Sequence, residues 1–387
     1  MTVIVRVSPT GPVSLSQLVR MPLGLDVWEV QPDSVVLRAP ETVLERLEKM
    51  GYAVEQLDTT ERHLAAFATD EALAGYHSAA TLEQDLRQLV DREPDIAELR
   101  EIGRSVQNRP IWALRIGERR GSTDKLLFLG CHHAREWISV EVAYRVAEHL
   151  VNSANTAPVQ DWLQRAELWV APMVNPDGHE YSRTEERLWR KNRRVNLDGS
   201  VGVDPNRNYG YMWGTLNVNT SSRVPSDETY VGPRAFSEPE TRAVRDLVGG
   251  ELFRGVVTYH SYSQLILYPW GYTDDPIPDV ADRTSMVRLA QRMQQLIEGV
   301  HGRRYTPQQA SQLYPTAGDT TDWTYGEYGI PSFTIELRPR SQAEGGFVLP
   351  ASQIAPTWEE NRPAALEFIR ATLETPAAVA VSGAASG

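Results

Sequence analysis

The stretch GCHHAREW, residues 130–137, places two adjacent histidines directly behind the apolar run KLLFLG, in a chain with only eight histidines. KLLFLG reads as a strand, so His133 and Glu136 lie just past its C-terminal end, the edge where open α/β sheets hold ligands. A first helical turn brings side chains three apart to one side. Imidazole nitrogen and carboxylate oxygen are both Zn²⁺ ligands, at about 2.0–2.2 Å. His260 ends the strand-like run RGVVTYH and could reach the same rim. Two histidines, one glutamate and an open position make a catalytic zinc site. His132 is the rival ligand, but the residue three on from it is Arg135, a poor metal neighbour. Cys131 reads as a small buried residue at the strand end. Glu336 ends the strand-like SFTIEL at the same rim and is the candidate base. Taken singly, a capping or salt-bridge role stays open for it.

Composition narrows the classes. The 387 residues suit two or three domains, or one large one with an appendage. A hydrophobic share of 41% is enough for a real core. A net charge of −12 argues against nucleic-acid binding and against an anionic membrane surface. The single cysteine excludes an intrachain disulfide. No run of about 18 apolar residues is present, so no membrane span is expected. The first residues lack a basic start followed by an apolar core, so no signal peptide is visible and the localisation stays open.

Two patterns divide the chain. Residues 1–60 read as strand, helix, two strands with a turn at Gln31–Ser34, helix, strand, the ferredoxin-like order. Residues 61–74 read as a connecting helix or linker. From about Gly75, strands (IWALRIG, KLLFLG, ELWVAPM, RGVVTYH, SFTIEL) alternate with helical segments, one N-capped by Ser237. This predicts an α/β domain over 75–372, a mixed, mostly parallel twisted sheet with helices on both faces. The Asn-, Gly-, Ser- and Arg-rich stretch 190–235 is too long to be slack in a compact domain and is expected to be functional. Residues 373–387 are expected to fray.

Seven blocks in order, HHAREW, RLWRKNRR, GVDPNRNY, ETYVGPRAFSEPE, YHSYSQLILYPWGYT, LYPTAGDTTDW and FTIELR…GFVLPASQI, resemble the zinc carboxypeptidases of the carboxypeptidase A/B family over about residues 75–370. The N-terminal segment resembles, more loosely, the family's activation domain. The resemblance implies one zinc on His133, Glu136 and His260; a His₂Glu set for carboxypeptidase A is a standard example. It implies that Glu336 activates the water and passes its proton to the leaving amine, and that Arg190 polarises the scissile carbonyl. Asn206, Arg207 and Tyr314 would hold the substrate's C-terminal carboxylate. Arg135, Arg187 and Tyr262 would lie further along the groove. It further implies a monomer acting on peptide or protein C-termini. An arginine fork grips a carboxylate bidentately, so a chain lacking a free C-terminus offers it nothing.

In the pocket block PTAGDTTDW, Thr321 stands where A-type members are apolar and B-type members carry aspartate. Asp319 stands where both often have glycine, an arrangement similar to carboxypeptidase T-type bacterial enzymes. Broad specificity is expected: apolar and aromatic residues, with Lys and Arg reached through Asp319, unless Asp319 only caps the following turn. Pro339 replaces the aspartate of digestive members after ELR, so support of Glu336 is expected to differ. Two other functions stay open on sequence: an amidohydrolase on side-chain or cell-wall amides, and a silent binding domain. Asn206, Arg207 and Tyr314 disfavour the first; Glu336 with Arg190 disfavours the second.

Overall fold

The computed structural model describes residues 2–118 and 124–375. The first unit runs β1 Thr2–Pro9, α1 Leu15–Arg20, β2 Asp26–Val30, β3 Val35–Pro40, α2 Leu44–Lys49 and β4 Tyr52–Thr59. Its four strands lie antiparallel in the order β2-β3-β1-β4, the ferredoxin-like arrangement. Strand alternation gives the sheet two faces. One, with Val3, Val5, Val7 and Leu37, packs on α1 and α2. The other, with Ile4, Trp28 and Val36, packs on Leu188, Tyr262 and Phe347 of the rest of the chain. The connector is helical, α3 Thr60–Phe67 and α4 Asp70–Leu73.

The large unit runs α5 Ala79–Arg92, β5 Ala97–Arg104, β6 Pro110–Ile116, β7 Asp124–Gly130, α6 Trp137–Asn152, α7 Val159–Arg165, β8 Ala166–Ala171 and α8 Pro176–Thr184. It continues with α9 Pro239–Glu251, β9 Gly255–Ser261, β10 Leu265–Tyr268, α10 Val280–His301, β11 Thr306–Gln309, α11 Thr320–Tyr328, β12 Ser332–Leu337 and α12 Ile354–Glu374. The eight strands form one mixed sheet, β11-β10-β12-β9-β7-β8-β6-β5, whose central pairs β12–β9, β9–β7 and β7–β8 are parallel. Apolar runs without alternation suit these strands because both faces are covered. Leu126 and Phe128 face a cluster with α5, α6, α10 and α12, while Leu127 and Leu129 face α9 and α11.

Several elements depart from the sequence expectation. The polar, short or Pro-containing β5, β10 and β11 carry little strand signal, and sheet pairing supplies what propensity lacks. The N-cap of α9 is Glu238, not Ser237: Pro239 takes the first helical position, and Ser237 Oγ donates to Glu238 Oε1 at 2.7 Å. The boundary expected at 372 falls inside α12, which continues to Glu374. The tail from Pro376 lies outside the described residues.

At the start of α9, Glu240 is fully buried and accepts from Val106 N–H and Asn192 Nδ2, both at 3.0 Å. Burial, with the charge of Glu238 beside it, pushes its pKa up to about 7 against those hydrogen bonds. The folded value exceeds the unfolded carboxyl value of about 4.3, so ionisation costs stability progressively as pH rises between them. Glu240→Gln is therefore expected to raise Tm more at pH 8 than at pH 5; thermal unfolding at both pH values checks it.

Candidate active site

At the end of β7 the chain turns through Cys131, held at φ +54°. That left-handed conformation costs an ordinary residue about 1 kcal/mol, and the surroundings fix it. Cys131 N–H donates to Ser139 Oγ and its carbonyl accepts from Asn175 N–H, both at 3.0 Å. A side chain at Gly130 would come within 2.7 Å of the carbonyls of Pro172 and Ser139, so only glycine fits. The turn delivers His133, and Glu136 stands at the N-cap position of α6. His260 on β9 and Glu336 on β12 are register partners in adjacent parallel strands, so both project to one face at the strands' C-terminal ends.

Three ligand atoms converge. His133 Nδ1 lies 2.7 Å from Glu136 Oε1, and His260 Nδ1 lies 3.0 Å from Glu136 Oε2 and 3.1 Å from His133 Nδ1. All three residues are buried. Zinc–ligand bonds of 2.0–2.1 Å in a tetrahedron put donor atoms about 3.3 Å apart, so this set fits a divalent cation with little rearrangement. Burial would raise the pKa of Glu136, but His133 and His260 hold it well below the carboxylate range. It therefore stays an anionic donor.

Asp204, which sequence reasoning gave no role, orients the cluster. Its Oδ1 lies 3.2 Å from His133 Nε2, which Arg190 Nη2 also meets at 2.8 Å, and these two contacts set the ring with Nδ1 turned toward Glu136. Its Oδ2 accepts from Arg190 Nε at 3.0 Å and Nη2 at 2.8 Å. The only signal was its place in GVDPNRNY, two residues before Asn206. Asp204→Asn is expected to weaken zinc binding roughly 10–100-fold, measured by competition with a chelating dye.

Glu336 contrasts with Glu136. Burial, then the charge of Glu136, pushes its pKa well up, opposed by Arg190 and Arg207. One buried carboxylate kept ionised beside another with raised proton affinity is the split needed for a ligand and a general base. His132, the rival ligand, is instead a satisfied core histidine, 2.8 Å from Tyr209 OH and 3.3 Å from Thr258 Oγ1.

His133, His260 and Glu336 share one cavity with Asn206, Arg207, Tyr314, Asp319 and Thr321. Arg207 is fixed by donation to the carbonyls of Thr220 and Asn206, and Asn206 Oδ1 accepts from Thr320 N–H at 2.9 Å. Gly318, at φ +74°, sits against the Arg207 carbonyl and lets the Asp319 loop close over that pair. Asp319 N-caps α11 through Asp322 N–H and also lines the cavity. Past Glu336, Arg338 pairs with the buried Glu360, which anchors the strand end where Pro339 stands.

Arg135 and Tyr262 lie outside this cavity, beneath the N-terminal sheet. Nη1 and Nη2 of Arg135 donate to Asp26 Oδ2 and Oδ1, both at 2.8 Å, and Tyr262 packs on Phe347. Arg187 braces rather than lines the cavity, donating to the carbonyls of Arg135 and Phe347 while stacking on Trp137.

The zinc carboxypeptidase family profile (Peptidase_M14) matches residues 82–364. Carboxypeptidase B of Astacus astacus is 38% identical over 295 residues, covering 74% of this chain and 93% of that protein. Human carboxypeptidase B is 35% identical over 300 residues, covering 76% and 70%. The crystal structure of carboxypeptidase A from Helicoverpa armigera has the same fold, with a TM-score of 0.82 at 24% identity, covering 96% and 97%. A profile match over most of the chain, relatives above 30% identity and a buried His-Glu-His cluster at the sheet edge place this chain in the zinc carboxypeptidase family, as a metallocarboxypeptidase and peptide hydrolase.

Proposed function

We propose that His133, Glu136 and His260 hold one zinc, that Glu336 is the general base, and that Arg190, Asn206, Arg207 and Tyr314 bind the scissile group and the C-terminal carboxylate. The observation that carries this reading is the gathering of both histidines, Glu336 and the Asn206–Arg207 pair in one cavity. Zinc supplies a Lewis acid and lowers the pKa of a bound water to about 7. Glu336, with its raised proton affinity, takes a proton from the attacking water and returns it to the leaving amine. Arg190, held cationic by Asp204, presents positive charge to the developing oxyanion. Arg207 and Asn206 take the terminal carboxylate, and Tyr314 covers it. The test is hydrolysis of a blocked dipeptide with and without o-phenanthroline, and of the matching amide. Chelator-sensitive turnover of the acid alone is expected. Equal turnover of the amide would favour an amidohydrolase.

The pocket supports broad specificity. Thr321 and Asp319 replace a purely apolar or purely acidic floor, and the oxygens of Asp319 keep acceptor capacity beyond their bonds to Thr316, Thr321 and Asp322. Peptides ending in Phe, Leu, Arg and Lys are all expected to be cleaved. Asp319→Gly should cut kcat/KM for Arg and Lys by roughly tenfold or more while sparing Phe. Unchanged Arg and Lys rates would assign Asp319 to capping alone. Residues 1–60 are read as a prosegment-like cover, 61–74 as its connector and 75–372 as the catalytic domain, acting as a monomer.

A further inference from the structure

The surface covered by the N-terminal sheet keeps polar atoms that the sheet does not satisfy. Arg135 Nε, Glu228 Oε2 and the Tyr262 hydroxyl are buried there without a hydrogen-bond partner among the described residues. Arg135 and Tyr262 are at most 3% exposed. Orphaned buried groups under one covering sheet point to another occupant that would satisfy them.

One covering side chain is matched. Arg38 on β3 lies with Nη2 2.9 Å from Glu228 Oε1 and Nη1 3.8 Å from Glu186 Oε1. Its Nε is 3.2 Å from Asp26, the residue that also holds Arg135. Glu186 and Glu228 belong to the catalytic unit, whereas Arg38 and Asp26 belong to the cover. Arg135 sits in the chain between His133 and Glu136, and its charge acts on Glu228, which ties that carboxylate to the covered surface beside the metal ligands. If the cover leaves, Arg135 loses Asp26, and Glu228 and Glu186 lose Arg38.

We propose that Glu228, with Glu186, forms a subsite for a cationic side chain, Lys or Arg, carried two or three residues before the scissile bond, and that Arg38 is its internal occupant. Arg135 then takes a substrate backbone carbonyl in place of Asp26. A cationic side chain there replaces the charge that Arg38 supplies to Glu228 Oε1, and an acidic one is repelled by the two carboxylates. This rests on the carboxypeptidase reading above.

The test uses the full-length chain nicked in the connector and carrying Arg38→Ala, so that the cover can depart and Arg38 cannot compete for the seat. Phe-terminated peptides with a single Arg or Gln, moved through the four positions before the scissile bond, are compared. An Arg over Gln preference of roughly tenfold at the second or third position, carried by KM, is expected. Glu228→Gln should bring that ratio close to one, and Glu228→Asp should keep part of it. Equal gain at every position would be long-range attraction to an acidic protein and would overturn the subsite, as would a preference that survives Glu228→Gln. Fluorescence anisotropy of the same labelled peptides reads the ratio without turnover. Arg-selective binding without hydrolysis would sink the catalytic reading and keep the subsite; unselective binding would sink the subsite.

Discussion

A single cut between Ala68 and Gly75 should raise the hydrolysis of a blocked dipeptide by roughly one to three orders of magnitude, the range set by an open form populated at about 0.1–10%. Ile4, Trp28 and Val36 press on Tyr262, Phe347 and Leu188 along the groove. The Asp26–Arg135 pair closes it, and Asn219 Oδ1 accepts from Leu23 and Leu25 N–H to fix the approach to β2. Both ends of the connector are anchored. Leu64 and Phe67 pack into the groove cluster, and Tyr76 donates to the Leu349 carbonyl at 3.0 Å. Thr69, Ala74 and Gly75 between them are exposed. No lysine or arginine occurs from residue 63 to 86, so trypsin cannot cut there and a protease accepting small or apolar residues can. Trypsin at the exposed Arg62 would leave Leu64 and Phe67 on the groove. Asp26→Ala in the uncut chain should release part of the activity. The pairing is robust in ordinary buffers: burial would raise the Asp26 pKa, but Arg135 and Arg38 hold it well below the free value of about 3.9. Its contribution is present above that value and lost as pH falls through the depressed one. Rates before and after subtilisin and trypsin, with fragment masses, decide the matter; full activity in the uncut chain would remove the cover reading.

The central sheet was legible because its strands are apolar on both faces, so KLLFLG, RGVVTYH and SFTIEL announce themselves without alternation. Their C-terminal ends mark the rim, and that is why His133, His260 and Glu336 stand out together in the sequence alone. The edge strand β11, TPQQ, has no such signal, since its strand state comes from pairing with β10. Asp204 was invisible for another reason: its role is to hold His133 and Arg190, and a carboxylate that touches only protein groups has no spacing rule. The cover was legible as a fold but not as a cover. The alternation of β2 shows two faces, one for α1 and α2, yet nothing local says what Trp28 and Asp26 meet. Arg187 sits in a matching block, yet the carbonyls it holds, those of Arg135 and Phe347, come from segments that no local pattern names.

Glu336→Gln, made in the nicked enzyme, should lower kcat by roughly 10²–10⁴-fold with little change in KM. The amide has nearly the same shape as the carboxyl group and leaves the β12–β9 register intact, so the loss reports proton transfer rather than packing. Its effect belongs in kcat because a base acts only as the water attacks, whereas Arg207 also grips the bound ground state. Glu336 is not among the three converging ligand atoms, so zinc content should stay at that of the unsubstituted enzyme. Loss of metal together with activity would make Glu336 a structural support of the cluster instead. Glu336→Asp separates position from charge: it keeps a carboxylate but withdraws it by one methylene, and a proton-transfer group that must lie about 2.6–3.2 Å from its partner should still lose most of its rate. If either variant stays within tenfold of the parent, the water must be deprotonated by another group, and the raised proton affinity of this buried carboxyl would be a consequence of its setting rather than the source of turnover.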